Sequence, residues 1–247
     1  MLAWFLLVAL QASAQTPASY VIADPATYAS QSHATAACQS SYQQTLGAPA
    51  QGPTVFDVTT LATAAVTHGL PSADQTTLTT ALNYVQHNPT LVRNQNYVAV
   101  ADYTQPGIAK RLYVVSLKDG SVDTYPVGQG TGHVVGPSGS CPSATTAWTP
   151  DKPYPVFSNV NGTCLSATGC VLTSVDNGTA AFWGTYYHVH GLNPGNNDQD
   201  CNRDIWMHND PRADFAGDSM GCFAIPQSEF TTVMSQIGGG AIVCTNP

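Results

Sequence analysis

The chain has 247 residues, enough for one main domain with an extension and a full core. Only 9% of them are charged, against roughly 25% in ordinary globular proteins, so Thr, Ser, Asn, Gln and Gly carry the surface polarity. The formal charge of −8, with just seven Lys and Arg and none before Arg93, argues against nucleic acid or an anionic membrane as partner.

The first residues, Leu2-Ala-Trp-Phe-Leu-Leu-Val-Ala-Leu10 followed by Ala12-Ser13-Ala14, read as a secretory signal peptide over residues 1–14. The n-region lacks Lys and Arg, which departs from the usual pattern. The apolar run falls short of the ~20 residues that span a bilayer, so no integral membrane segment is expected after cleavage. Residues 15–53 are rich in Ala, Ser, Thr, Gln and Pro and read as a loosely structured arm, pinned to the body if Cys38 is bridged.

A helical extension is expected over residues 54–92. Val55 to His68 ends at Gly69, a helix stop, and Ser72-Ala-Asp-Gln75 has the capping-box form. Leu78, Leu82 and Val85 follow at helical spacing, and Asn88-Pro89 ends the run. His68 and His87 near these helix ends fit a dipole interaction better than a ligand role.

From residue 93 the pattern becomes β. Tyr97–Asp102 and Arg111–Leu117 are β-branched and aromatic runs, and Lys118-Asp-Gly-Ser121 turns the chain into a partner strand, Val122 to Val127. Gly128-Gln-Gly-Thr-Gly-His133 is a glycine loop, not a dinucleotide fingerprint, because no helix pattern follows it. Further strands are expected near Val171-Leu-Thr173, Phe182 to His188, Ile205 to His208 and Ala241 to Cys244, with the remainder β and loop. Two Asn-Gly-Thr triplets, at Asn161 and Asn177, have the glycosylation form but are explained as Asn-Gly turns.

The chemistry concentrates between His208 and Cys222. The chain has seven cysteines, Cys38, Cys141, Cys164, Cys170, Cys201, Cys222 and Cys244. In an exported protein six form three disulfides, with pairings that sequence leaves open, and one is left over. Cys222 is the candidate, since it follows Gly221 in a turn downstream of His208. Histidine supplies the base or cation a cysteine needs to act as a thiolate, and glycine permits a sharp turn. A structural cysteine after a turn is the competing reading. A metal set of His188, His190, Cys201 and His208 is weighed against this; its spacing is loose, and no Cys-x-x-Cys or His-Glu-x-x-His supports it. Papain-like enzymes place cysteine before histidine, the reverse of the order here.

His208 with Ser219-Met-Gly-Cys222 resembles the His…Ser/Thr-x-Gly-Cys signature of YkuD-like L,D-transpeptidase catalytic domains. The murein L,D-transpeptidase branch is closer still. Ala101-Asp-Tyr-Thr-Gln-Pro106, Arg111-Leu-Tyr-Val-Val115, Val127-Gly-Gln-Gly130, Phe157-Ser-Asn159 with Ser166-Ala-Thr-Gly169, then Gly191-Leu192, Asn196, Arg203 and Ile205-Trp-Met-His208 are similar to its motifs in order. The likeness runs from about Tyr97 to the C-terminus. Cys222-Phe-Ala-Ile-Pro226 lacks the Arg that many relatives carry after the cysteine, and His133 stands where the loop is usually serine- or glycine-rich.

The resemblance implies a mainly β domain over residues 93–247, a mixed sheet forming a sandwich or partial barrel behind a short helical extension. It implies a secreted or periplasmic, cell-wall-associated monomer that acts on peptidoglycan stem peptides without metal or organic cofactor. Cys222 is then the nucleophile and His208 its base, with Gly221 and Cys222 offering backbone N–H groups to an oxyanion. Ser219 orients His208 or shapes the turn. Arg203, His190, Asn196, Ser158 and Asn159 are the substrate-binding candidates, Arg203 replacing the missing Arg or forming a structural salt bridge. A catalytically silent wall-binding protein, and a thiol endopeptidase or amidase on another peptide, are the alternatives.

Overall fold

The computed structural model describes residues 36–52, 55–106, 108–130, 169–181, 184–193, 197, 200–201, 205–211, 218–219 and 221–246. The expected signal peptide, Cys141, Cys164, His133, Ser158, Asn159, Asn161, Asn196 and Arg203 lie outside them.

Three helices precede the strands: α1 (Ala36–Gly47), α2 (Val58–Thr67) and α3 (Gln75–His87). The arm expected to be loose therefore contains α1. Cys38 on α1 is bridged to Cys201, the tether the sequence allowed for. Helix α2 starts where Asp57 accepts the N–H of Thr60 at 2.7 Å. The capping box expected at Ser72 does not form. Residues Ser72–Asp74 make one 3-10 turn, and Asp74, which precedes α3, gives no side-chain cap. Its carboxylate turns inward instead, where Asn246 Nδ2 donates to Oδ1 at 2.6 Å.

The strands are β1 (Tyr97–Asp102), β2 (Lys110–Ser116), β3 (Val122–Pro126), β4 (Gln129–Gly130), β5 (Cys170–Ala180), β6 (Gly184–Gly191), β7 (Trp206–Asp210), β8 (Asp218–Ser219), β9 (Phe223–Pro226) and β10 (Ile242–Asn246). Eight of them form one mixed sheet in the order β3-β2-β1-β10-β5-β6-β7-β9, with β1/β10 and β7/β9 parallel. The β2–β3 hairpin turns at Lys118-Asp-Gly120 as its sequence predicts, and Asp119 Oδ1 accepts the N–H and hydroxyl of Ser121. Just beyond β3, the N–H of Gly128 donates to Ala224 O of β9 at 2.6 Å, so the two edges of the sheet approach one another. That contact makes the sheet a partial barrel.

Two expectations change. Residues 227–237, taken as β and loop, form a helix, α4 (Gln227–Ile237). Phe230, Val233, Met234 and Ile237 repeat at helical spacing and are buried on it. Asn177-Gly178 is not a turn but lies within β5, opposite Tyr187 and Tyr186. The Tyr186 ring lies over Gly178, so a Cβ there would have to displace it.

Side-chain alternation divides the core between the two faces of the sheet. Val98, Val100, Val115, Leu172 and Ile242 pack under α2 and α3 through Leu61, Ala65, Leu78, Leu82 and Val85. Ala99, Leu112, Val114, Val171, Met207, Phe223 and Val243 pack against α4. Cys170 and Cys244, cross-strand partners on β5 and β10, form a second disulfide under the first face.

Candidate active site

Strands β6, β7 and β9 bring the chemistry together. Met207 and Phe223 point into the α4 core, so Trp206, His208 and Asp210 must face the other way, and so must Ala224. The parallel register pairs Met207 with Phe223 and His208 with Ala224. Continuing that ladder sets Cys222 beside Trp206, and the backbone N–H of Trp206 donates to Cys222 Sγ at 3.4 Å. His208 and Cys222 therefore lie on neighbouring strands, two ladder positions apart and on one face of the sheet.

Cys222 is buried and outside any disulfide, whereas Cys38, Cys201, Cys170 and Cys244 are all bridged. An N–H aimed at sulfur solvates a thiolate better than a thiol. His208 is buried too, with Nδ1 2.6 Å from the carbonyl oxygen of Asn209. A carbonyl only accepts, so Nδ1 carries a proton, and in the neutral ring Nε2 is the basic nitrogen.

The turn before β9 is built around two residues. Gly221 has φ +124°, a conformation that favours glycine. Ser219 Oγ donates to Cys222 O at 2.6 Å and accepts the N–H of Gly221 at 3.1 Å. Both hydroxyl bonds stay inside the turn, so the hydroxyl braces it. In this structure the Gly221 N–H is therefore engaged by Ser219 Oγ. Strand β8 extends the bracing, because Gln129 and Gly130 of the glycine loop run parallel to Asp218 and Ser219.

His190, a substrate-binding candidate, is fully buried beneath α1. Ser41 Oγ donates to Asp176 Oδ1 at 2.7 Å, so His190 Nε2, 3.4 Å from that oxygen, is the donor to it. The Tyr42 ring meets its edge at 5.2 Å. Burial pushes the imidazole down to about 3, the neighbouring His188 adds to this, and Asp176 opposes it, so His190 is neutral. With α1 in place His190 meets the helix and not solvent. His188 lies beside the α1 tether, Nδ1 3.9 Å from Cys201 Sγ. Because Cys201 is half of a disulfide it offers no thiolate, which dissolves the metal set weighed from sequence. Among the described residues no group of three or more His, Cys, Asp or Glu could hold a metal ion.

An aromatic cluster unremarked in the sequence flanks Cys222. Trp206 stacks on Tyr186 with centroids 4.1 Å apart, and His188 meets Tyr186 edge-on at 5.3 Å. The signal was present in the alternation of Tyr186, His188 and His190 along one strand. What sequence could not tell was that Trp206 stacks across the ladder from them.

A model of the L,D-transpeptidase catalytic domain matches residues 70–245, a span that includes α3 and every strand save the last residue of β10. The chain belongs to this family. Solved structures similar to this L,D-transpeptidase domain include an L,D-transpeptidase from Mycobacterium smegmatis, 11% identical over 62% of this chain and 59% of that one, with a TM-score of 0.34. An L,D-transpeptidase from Stackebrandtia nassauensis is 12% identical over 84% of this chain and 89% of that one, with a TM-score of 0.36. L,D-transpeptidase 3 from Mycobacterium tuberculosis is 11% identical over 62% of this chain and 61% of that one, with a TM-score of 0.32. The chain thus spans about 59% of the length of the Mycobacterium smegmatis protein. No curated protein matches. The two disulfides among the described residues fit an extracytoplasmic location. No helix among the described residues is long and apolar enough to cross a membrane.

Proposed function

We propose that the chain is a secreted, monomeric cysteine acyl-transferase acting on peptidoglycan stem peptides. One observation carries the reading: Cys222, the described cysteine outside the disulfides, lies on the face and ladder of His208, whose Nδ1 is fixed by a carbonyl.

His208 Nε2 takes the Cys222 proton, either as a base or in a standing ion pair, while the Nδ1–H bond to Asn209 keeps the ring turned. The thiolate attacks the carbonyl joining the third stem residue to the terminal D-Ala. The C–N bond breaks, His208 returns the proton to the departing amine, and D-Ala leaves a thioester on Cys222. An amine from a second stem then displaces sulfur to give a 3→3 cross-link, or water does so to give a trimmed stem; either way His208 accepts the nucleophile's proton. Each N–H donor to the oxyanion supplies roughly 3 kcal/mol in comparable sites. The Gly221 N–H serves that purpose only when Ser219 Oγ releases it. Ser158, Asn159, Asn196 and Arg203 are the remaining candidates for holding the stem peptide, Arg203 for its carboxylate.

Intact-mass spectrometry with and without a carbapenem tests this. One adduct mapped to Cys222, lost in Cys222→Ala and slowed by at least a hundredfold in His208→Ala, is the expected result. An adduct that survives Cys222→Ala refutes it. A reactive thiol that takes no carbapenem but turns over a peptide of L-residues points to the endopeptidase or amidase reading, and an inert thiol that binds stem peptide points to the silent wall-binding one.

A further inference from the structure

Against Val127, one residue before the Gly128 that bonds β9, lies a buried cation. Strand β2 carries a register shift between Lys110 and Leu112 against β3, so Arg111 is the extra residue of a bulge. Bulges re-aim side chains and recur beside functional sites. Here the bulge sends the whole Arg111 side chain inside, where it is fully buried. Its Nε and Nη2 both donate to the carbonyl of Val127, at 3.0 and 2.9 Å, and Nη1 donates to Gln105 O at 2.8 Å. Burial pushes the guanidinium down to about 10, with Tyr103 and then Asp102 opposing the shift, so Arg111 is a cation at neutral pH.

Two routes lead from this cation to the nucleophile. The first is mechanical: Val127 is followed by Gly128, whose N–H holds Ala224 of β9, and then by the residues paired with Asp218 and Ser219. Clamping Val127 therefore fixes the strand and the turn on both sides of Cys222. The second is electrostatic. The guanidinium carbon sits 5.1 Å from the centroid of the Tyr103 ring, and that ring lies 6.2 Å from Phe223, the residue after Cys222. Tyr103 is fully buried, and its phenol is pushed up by burial, opposed by Arg111 and raised further by the charges of Asp200 and Cys222. Arg111 thus sits against the ring that packs beside Phe223, the neighbour of Cys222.

We propose that Arg111, seated on Tyr103, is a positioning residue that clamps the Cys222 turn through Val127 and whose charge favours the Cys222 thiolate. The proposal rests on the cysteine-nucleophile reading and extends it to a residue outside the His–Cys pair. A neutral side chain of similar shape would give up both the field at sulfur and the hydrogen bonds to the Val127 and Gln105 carbonyls.

The test follows alkylation of Cys222 by iodoacetamide from pH 5 to 10 on the full chain with its disulfides intact. Arg111→Gln should move the midpoint of the rate profile upward and slow alkylation at pH 7 about tenfold. Arg111→Met, apolar and of similar length, reads the same charge loss if the Gln variant does not fold. Arg111→Lys should keep the midpoint while lowering kcat for acylation with little change in KM, since it keeps the charge and loses the two-pronged grip. Tyr103→Phe, which keeps the ring, should match the wild type. A folded Arg111→Gln or Arg111→Met variant with the wild-type midpoint, while Cys222 still takes a carbapenem, overturns the inference and leaves the function standing. A wild-type Cys222 that takes neither reagent overturns both.

Discussion

Asp74 offers a quantitative test of how the helical extension is fastened to the sheet. It is fully buried, its Oδ1 accepts Asn246 Nδ2, and its carboxyl lies within hydrogen-bond reach of Asp102. Two carboxylates so placed repel unless a proton sits between them. Burial, then the Asp102 charge, pushes Asp74 from 3.8 up to about 7, with Asn246 opposing. The folded state therefore binds this proton more tightly than the unfolded chain. Its contribution to stability is fully present below pH 4 and is lost as pH rises to about 7, a loss of about 4 kcal/mol. His190 has the opposite sign. Lowered from 6.5 to about 3, it contributes fully above pH 6.5 and loses up to about 5 kcal/mol as pH falls toward 3. Between roughly pH 4 and 6.5 the two slopes cancel, so these groups leave the wild type nearly flat. Asp74→Asn removes one slope and supplies an N–H to Asp102. The variant should be more stable than wild type at pH 8 by up to about 4 kcal/mol, and between pH 4 and 6.5 should gain about 1.4 kcal/mol per pH unit from His190 alone. Guanidinium unfolding at pH 4.5, 6 and 8, with disulfides intact, measures both. A variant no more stable at pH 8, and with the wild-type slope below it, refutes the reasoning.

Two further substitutions probe the site. Gly221→Ala forces a Cβ onto a backbone at φ +124°, at a cost of about 1–3 kcal/mol, and should depress carbapenem acylation far more than the melting temperature. Cys38→Ser opens a bridge that spans 163 residues of sequence, worth about 5 kcal/mol on the chain-entropy model. Hydrogen exchange should then rise across α1 and at His190, while an unchanged pattern would mean that Ser41 and Tyr42 hold the helix without it.

The sequence by itself determined several local elements and singled out His208 and Cys222 as the candidate pair. Local signals sufficed for α2, α3 and the β2–β3 hairpin, because apolar periodicity and an Asp-Gly turn act within a few residues. The same signal in Phe230, Val233, Met234 and Ile237 marks α4, legible but masked by the strand-rich context. Cys222 stood out by parity and by its glycine, a matter of composition and turn chemistry. Tertiary structure decided what depends on distant partners. Asp74 looks like part of a cap until Asn246 and Asp102, register partners on the adjacent strands β10 and β1, meet it from the middle of the sheet. His190 looks like a ligand until a disulfide 163 residues long in sequence lays α1 over it. Arg111 looks like an ordinary strand residue until a bulge, set by pairing with β3, turns it toward Val127. In each case the side chain is unchanged and its chemistry is set by burial and by which group the fold places within hydrogen-bond reach, and neither is encoded within a few residues of it.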